Sequence, residues 1–294
     1  MSAERMKIYD PDGKEIANIA RDSTGATRLF LVPGISLDTH KQVQDLLFSA
    51  GNTKDPQFEA RLKTAYETHG FGFESDEQIE KRVAKNVDYI HESNLIEEIT
   101  EIDKSLIKDQ YRKQNNMGCV GAWLIAEDRA KEKNPLSGKD VIRMQRMLTD
   151  EQSVYGHFLK EHYRGAIRGE QDWVSVGGRI IPPPHPEDYE SFFSRFNAGL
   201  QKLKPANIED VLRYSAKMHL EYELMHPFAD GNGRTGRNIA NYVLKYFQLP
   251  VLVFTNFDKE KYYQGFHIGT HEESEPMEEY FIEKYREQNP EFFK

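Results

Sequence analysis

Residues 226–237 read HPFADGNGRTGR and place one histidine, one aspartate, three glycines and two arginines within a short stretch. Packing a hydrophobic core needs none of these residue types. Glycines allow the main chain to approach an anion closely, and arginines supply donors for phosphate oxygens. The stretch therefore predicts a site that binds phosphate and acts on it.

The composition sets the class of protein. The chain has 294 residues, of which 30% are charged and 38% hydrophobic, as in a folded globular protein of one or two domains. Its net charge of −9 argues against nonspecific binding to nucleic acid or to anionic membranes, because both require a basic surface. No segment approaches the ~20 apolar residues of a membrane span. The start, MSAERMKIYD, lacks the apolar stretch of a signal peptide, so we expect a cytoplasmic protein.

Two regions are predicted along the chain. Residues 1–80 contain KIYDPDGKEIANI (7–19), which has the turn residues of a β-hairpin, and we expect a small α+β region there. This region carries no site signal, and whether it selects partners or mediates a homodimer is left open. From about residue 78 the composition becomes helical, so residues 81–294 are expected to be mainly α and to hold the site.

A second hairpin is predicted before the motif. Residues 165–179 combine Trp, Val and Ile with the pair Gly177-Gly178. The run PPPHP (182–186) ends this hairpin, because proline cannot donate to a strand ladder. We expect a helix to begin at Pro186, which is a better account of this run than a PxxP recognition motif.

The motif itself is expected to join two helices. Residues 211–225 alternate apolar and polar side chains, which taken alone is a strand pattern. Their richness in Leu, Met, Ala, Glu and Lys and the absence of Gly and Pro favour a buried helix instead. Residues 234–247 are predicted to form the second helix.

Three phosphate-binding patterns compete for the motif. The three glycines satisfy GxGxxG, but that fingerprint requires a preceding strand, and here a long helix precedes it. The spacing from Gly231 to Gly236 also fits a Walker A loop, but Arg237 follows where lysine belongs. The third pattern is an anion-binding nest at a helix start, and it alone uses every residue. It adds Asp230 as a Mg²⁺ ligand and His226 as a base with an ordinary pKa near ~6.5.

The stretch is similar to the signature of Fic-domain proteins, HxFx(D/E)GNGRxxR, and agrees with it at every specified position. Residues 173–186, WVSVGGRIIPPPHP, resemble the flap hairpin of that family, and DKEKYYQGF (258–266) resembles a later segment with two tyrosines. The resemblance covers roughly residues 85–285. It implies a mainly α Fic-fold bundle with a β-hairpin flap over the active site, and Mg²⁺-dependent transfer of AMP from ATP to a Ser, Thr or Tyr hydroxyl of a protein.

The resemblance also implies residue roles. His226 would be the base, Asp230 would hold Mg²⁺, Arg237 would contact the γ-phosphate, and the flap would align the target by strand addition. Position 270 is threonine where the family often has asparagine for the base contact. The implied nucleotide-binding set is Val174, Ser175, Val176, Gly177, Asp230, Gly231, Asn232, Gly233, Arg234, Thr235, Gly236, Arg237, Tyr262 and Tyr263.

Two further positions bear on reaction and control. Gly233 is lysine in the branch that transfers the γ-phosphate, so glycine here implies AMP transfer. Residues 93–97, SNLIE, resemble the family's inhibitory helix Ser/Thr-x-x-x-Glu-Gly/Asn, except that Glu98 replaces the final Gly or Asn. By that resemblance Ser93 and Glu97 are regulatory, and Glu97 would pair with Arg237 and withhold it from ATP.

Three functions follow from this sequence. The first is a self-inhibited protein adenylyltransferase whose partner is a target protein, with self-modification included. The second is removal of AMP from protein by the same site. The third is a nucleotide-binding interaction module, which the presence of both His226 and Asp230 disfavours because a binding module needs no base.

Overall fold

The computed structural model describes residues 4–11, 13–21, 27–51, 55–176, 179–268 and 273–293. These residues are mostly helical, with two small antiparallel sheets. They divide into two compact units, residues 1–83 and 84–294. In the described part of the chain, no helix combines the length and apolar character needed to cross a bilayer.

The first unit is built on a four-stranded sheet of order β3-β2-β1-β4. Its elements are β1 (Glu4–Tyr9), β2 (Glu15–Arg21), β3 (Thr27–Leu31), α1 (Leu37–Ser49), α2 (Phe58–Thr68) and β4 (Gly72–Glu74). The predicted hairpin of residues 7–19 is confirmed as β1 and β2, although its turn residue Asp12 lies outside the described residues. Buried apolar side chains from β1, β2, β4, α1 and α2 fill the core. The Tyr66 hydroxyl donates to the Val43 carbonyl at 2.8 Å.

The helix α3 (Asp76–Ile96) leads into the second unit. The elements that follow are α4 (Lys104–Arg112), α5 (Gly118–Lys131), α6 (Gly138–Val154), β5 (Val174–Val176), β6 (Arg179–Ile181), α7 (Pro186–Lys202), α8 (Ile208–Met225), α9 (Asn232–Tyr246), α10 (Lys259–Ile268) and α11 (Glu275–Gln288). Short 3₁₀ turns lie at Glu161–Tyr163, Asn256–Asp258 and Pro290–Phe293. The prediction of a mainly α bundle with a β-hairpin is confirmed.

The core of this unit surrounds α5 and α9. Helix α5 packs on α6 and α9, and α8 packs on α9 and α11. Trp123 of α5 is fully buried against Tyr89 of α3, with ring centroids 5.0 Å apart. The predicted helices of residues 211–225 and 234–247 are confirmed as α8 and α9. Because α8 is buried on most sides, its apolar residues cover the helix rather than one stripe, which explains its strand-like alternation.

Candidate active site

The loop between α8 and α9 is closed by its own side chains. His226 ends α8 in the left-handed conformation with φ 47°, and its N–H donates to the Tyr222 carbonyl at 3.0 Å. Phe228 is fully buried and anchors the loop. The Asn232 side chain accepts from the Phe228 N–H at 2.9 Å and donates to the Phe228 carbonyl at 2.8 Å. The loop is therefore held in one shape without needing a ligand.

A hydrogen bond to the main chain sets the tautomer of His226. Its Nδ1 lies 3.3 Å from the Glu223 carbonyl oxygen. A carbonyl only accepts, so Nδ1 carries the proton and Nε2 keeps its lone pair. Burial, followed by the positive charge of Arg168, lowers the pKa of His226 to about 4. The imidazole is thus neutral throughout the neutral pH range.

Helix α9 begins where the loop ends. Gly231 is its N-cap with φ 84°, a left-handed conformation that glycine adopts without cost. The first N–H groups of a helix have no partner within it and favour an anion. Residues 231–233 thus supply a helix N-terminus, as the motif predicted.

Two members of the predicted nucleotide set have internal contacts instead. The Thr235 hydroxyl donates to the Gly231 carbonyl at 2.9 Å and lies 2.7 Å from the Tyr222 hydroxyl. Gly236 lies against α8, where a side-chain Cβ would collide with the carboxylate of Glu223. These contacts allow α8 and α9 to pack closely. They offer no support for a nucleotide contact by Thr235 or Gly236.

Asp230 is the carboxylate at this helix start. One oxygen accepts from the Gly231 N–H at 2.6 Å, and the other accepts from the Gln152 side-chain amide at 2.6 Å. The Asp230 side chain is still 42% exposed, so each oxygen has lone pairs left for a ligand. A single held carboxylate suits Mg²⁺, which takes its remaining ligands from water and phosphate. No group of three or more metal-binding side chains occurs among the residues that the structure describes.

The two motif arginines are buried on the inner side of α9. Arg234 is 3% exposed and its Nη2 donates to the Gln152 side-chain oxygen. Arg237 is fully buried, and its Nη2 donates to the Ser93 carbonyl and to Glu97 Oε1, each at 2.8 Å. Arg237 Nε donates to the Ser93 hydroxyl at 2.9 Å. The remaining Nη1 of Arg237 has no hydrogen-bond partner within the described residues.

The structure therefore brings Ser93 and Glu97 of the α3 end to Arg237. The Glu97 side chain is 28% exposed. Burial opposes its ionisation, but the charges of Arg237 and Arg234 outweigh that effect and lower the pKa of Glu97. Burial likewise disfavours the charged guanidinium, and the facing Glu97 carboxylate raises the pKa of Arg237 above its ordinary value. The pair is ionic at neutral pH.

The two predicted tyrosines differ in placement. Tyr262 is 1% exposed, its hydroxyl lies 2.8 Å from His219 Nε2, and Arg237 lies over its ring at 5.9 Å. That is the position of a core aromatic. Tyr263 is half-buried beside it, with Lys259 at 5.9 Å from its ring centroid. Thr270 lies outside the described residues.

The predicted flap hairpin is present as β5 and β6. Val174 pairs with Ile181, and Ser175 pairs with Ile180, in an antiparallel register. Ser175 is exposed and Val174 half-buried. Gly177, which was expected at the flap edge, lies outside the described residues.

The structure adds site residues that the sequence did not indicate. Gln145 donates to the Asp230 carbonyl at 3.0 Å, and Gln152 bridges Asp230 and Arg234. Both are buried on α6, two turns apart, and neither leaves a signal in the sequence. Glu223 is a further carboxyl near Arg237; burial, which the Arg237 charge only partly offsets, raises its pKa to about 8.

Comparison with known proteins gives the class. Residues 135–244 match the model of the Fic/DOC family. Protein adenylyltransferase Fic of Culex quinquefasciatus is 32% identical over 138 residues, which are 47% of this chain and 26% of that protein. The Nematostella vectensis protein of the same name is 32% identical over 124 residues, 42% of this chain and 28% of its own. The match thus spans about a quarter of the length of these relatives.

Solved structures share the fold. A Fic domain-containing signaling protein from Bacteroides thetaiotaomicron has a TM-score of 0.51 at 16% identity, with 83% of this chain and 92% of that chain covered. Fic-1 from C. elegans has a TM-score of 0.52 at 16% identity, covering 87% and 72%. The fold is therefore the Fic fold, as expected.

Proposed function

We propose that this protein is a Mg²⁺-dependent protein adenylyltransferase that Glu97 holds in an inhibited state. The observation that carries the proposal is the Glu97–Arg237 ion pair of 2.8 Å beside the N-terminus of α9. Arg237 is the proposed donor to a bound γ-phosphate, and in this ion pair the Glu97 carboxylate occupies it instead. The relatives named protein adenylyltransferase Fic support the reaction class.

The reaction is a transfer to a hydroxyl. His226 accepts the hydroxyl proton of a Ser, Thr or Tyr on the target at Nε2. The freed oxygen attacks the α-phosphorus of ATP, a new O–P bond forms, and the bond from the α-phosphorus to its bridging oxygen breaks. Pyrophosphate leaves with that electron pair. A neutral, buried histidine with its Nδ1 proton held by the Glu223 carbonyl is suited to this role.

The phosphates would lie at the start of α9. The N–H groups of Gly231, Asn232 and Gly233 supply donors, with Arg234 behind them. Asp230 would hold Mg²⁺, which supplies charge neutralisation for the phosphate oxygens when bound. Nη1 of Arg237, which lacks a partner among the described residues, is a further donor for the γ-phosphate.

The flap edge would hold the target segment, and a tyrosine of α10 would border the adenine. The exposed edge near Val174, Ser175, Val176 and Gly177 would align an extended target segment by main-chain pairing. Tyr263, being half-buried, is better placed than Tyr262 to border the adenine. The net charge of −9 supports a protein as the partner over nucleic acid or an anionic membrane. Self-modification, a homodimer and a cytoplasmic location belong to the same proposal.

Inhibition follows from charge. A γ-phosphate and the Glu97 carboxylate are both anions that need Arg237, and breaking a buried ion pair by removing one partner costs ~3–5 kcal/mol. ATP would then bind only with its γ-phosphate away from Arg237. The same ionised carboxylate could orient a water molecule, and this favours removal of AMP from modified protein as the second candidate function.

Label transfer tests the proposal. ATP labelled at the α- or the γ-phosphate is incubated with Mg²⁺, bacterial lysate and the Glu97→Gly variant, with His226→Ala in that background as control. The proposal expects α-label on protein and none with His226→Ala. Transfer of γ-label would indicate a kinase instead. Absence of label together with release of AMP from previously modified protein would favour the second candidate.

A further inference from the structure

A buried arginine outside the signature connects the base to the flap. Arg168 lies in the irregular segment between the 3₁₀ turn at Glu161–Tyr163 and β5, and it is 3% exposed. Its Nε donates to the His226 carbonyl at 2.8 Å, and its main-chain N–H donates to the Pro227 carbonyl at 2.9 Å. Arg168 therefore grips both residues at the start of the catalytic loop.

The other end of the same guanidinium grips the flap. Nη1 donates to the carbonyls of Asp172 and Ile181, the latter at 3.2 Å, and Nη2 donates to the Pro182 carbonyl at 3.0 Å. Asp172 lies just before β5, and Ile181 and Pro182 end β6 and follow it. One planar group thus ties both ends of the hairpin to the residue that carries the base.

The chemistry of these contacts favours a positioning role. Taking a charged group out of water costs several kcal/mol, and here main-chain carbonyl dipoles accept the donors. An apolar side chain in the same space would leave these carbonyls without a donor. The rigid fork of arginine donates in several fixed directions at once, which lysine cannot reproduce. The arrangement therefore fixes geometry between two segments that are separate in sequence.

We propose that Arg168 is a positioning residue that sets the spacing between His226 and the flap, and so governs AMP transfer to the protein target without governing ATP binding. This inference rests on the function proposed above. The nucleotide contacts proposed there come from α9, Asp230 and Tyr263, whereas Arg168 contacts His226, Pro227 and the flap. Loss of Arg168 should therefore separate the two properties.

The test compares variants in the Glu97→Gly background. Arg168→Gln removes the charge and the fork, and Arg168→Lys keeps the charge with fewer donor directions. The control is Arg164→Gln, in the same segment, whose Nε donates to the Leu159 carbonyl at 2.9 Å and whose side chain is 19% exposed. Each variant is measured for ATP·Mg²⁺ binding by calorimetry, for α-label transfer to lysate proteins, and for its melting temperature.

We expect α-label transfer to fall at least about tenfold in Arg168→Gln, since a misplacement of ~1 Å costs even more. ATP affinity should stay within about threefold, which is less than 1 kcal/mol. Arg168→Lys should recover part of the transfer, and Arg164→Gln should match its parent. If ATP binding and transfer fall together, or if Arg168→Gln and Arg164→Gln behave alike, the positioning role is overturned.

A second measurement does not depend on transfer. Amide hydrogen exchange in Arg168→Gln should speed up in residues 172–176 and 179–181 while α8 and α9 keep the exchange of the parent. Uniform loss of protection, or none, contradicts the inference. If the Glu97→Gly parent itself transfers no label, the proposed function fails, and hydrogen exchange alone then decides whether Arg168 couples the two segments.

Discussion

The Glu97 carboxylate occupies the space that a side chain at Gly233 would need. A Cβ built on Gly233 would collide with Glu97 Oε1 and would lie 3.0 Å from Arg237 Nη1. Glycine at position 233 is thus required by the Glu97–Arg237 contact, and a phosphate bound as proposed would need the same space. The family resemblance implies that glycine or lysine at this position separates AMP transfer from γ-phosphate transfer. The structure adds a steric reason for glycine, which is the neighbouring Glu97 carboxylate.

A double-mutant cycle tests this contact. Gly233→Ala should destabilise the wild type by ~1–3 kcal/mol, the usual cost of forcing an extra methyl into a packed site. In the Glu97→Gly background the collision with the carboxylate is absent and the 3.0 Å approach to Arg237 Nη1 remains, so alanine should be near neutral, with its helix preference of up to ~1 kcal/mol offsetting that contact. Denaturant unfolding of the four proteins measures the coupling. Equal effects of Gly233→Ala in both backgrounds would show that Glu97 does not hold this position.

The end of α3 is strained at Glu98. Its N–H donates to the Leu95 carbonyl at 3.0 Å and the Ile99 N–H donates to the Asn94 carbonyl at 3.1 Å, which is a Schellman ending. Glu98 occupies the left-handed position of that ending with φ 63°, where glycine is preferred. This explains why Gly or Asn stands here in the family pattern.

We predict that Glu98→Gly stabilises the inhibited protein by about 1 kcal/mol and lowers basal α-label transfer by up to about fivefold. The control is Glu98→Ala, which keeps the strained Cβ and loses the 3.4 Å ion pair with Lys259. Alanine should give no stabilisation. Higher basal α-label transfer in Glu98→Gly would mean that the strain at Glu98 does not weaken the proposed inhibition by Glu97.

Glu223 predicts a pH dependence of stability. Its pKa of about 8 lies above that of an unfolded glutamate, so the folded protein keeps a proton that the unfolded chain has lost. The resulting stability is fully present below about pH 4.5, declines as pH rises, and is lost once pH passes about 8. Glu223→Gln should therefore raise the melting temperature more at pH 8.5 than at pH 5.

The matched comparison for that prediction is Glu221→Gln on the same helix. Glu221 is 18% exposed and pairs with Arg195. This substitution should not reproduce the pH-dependent gain of Glu223→Gln. A constant difference between Glu223→Gln and wild type from pH 5 to 8.5 would contradict a neutral Glu223.

His226 predicts a flat activity profile through neutral pH. Because burial and Arg168 lower its pKa to about 4, the base stays unprotonated until pH falls far below 6.5. AMP transfer by Glu97→Gly should therefore vary little between pH 6 and 7.5 and decline only in the acid range. Rates measured in constant ionic strength buffers test this. A titration of activity centred near pH 6.5 would mean that His226 is solvated in the active form.

The motif helices and the base loop could be predicted because their signals are local. Glycines, one acid and one histidine at fixed spacing define the turn from α8 into α9, and their contacts lie within a few residues of one another. Glu97 and Arg237 lie far apart in the sequence, and only the family resemblance predicts that they pair. By composition alone, the acidic run of residues 92–103 is typical of a solvated face.

The supporting residues could not be predicted for a physical reason. Gln152 acts on Asp230 and Arg234 from another helix, and Arg168 acts through main-chain carbonyls, which any residue type provides. Neither arrangement leaves a periodic or compositional signal. The sequence also cannot distinguish Tyr262 from Tyr263, because the two tyrosines are adjacent and identical in type. In the structure Tyr262 is buried and Tyr263 is half-buried.

The most direct measurement is α-label transfer by wild type and Glu97→Gly at equal protein and ATP·Mg²⁺ concentrations, with Glu98→Ala as the neighbouring control. Releasing Arg237 from its carboxylate should raise transfer at least about tenfold, equivalent to ~1.4 kcal/mol, and the control should stay near wild type. Transfer by Glu97→Gly no greater than wild type, with both proteins folded and binding ATP, would contradict the account of Glu97 as the inhibitory residue.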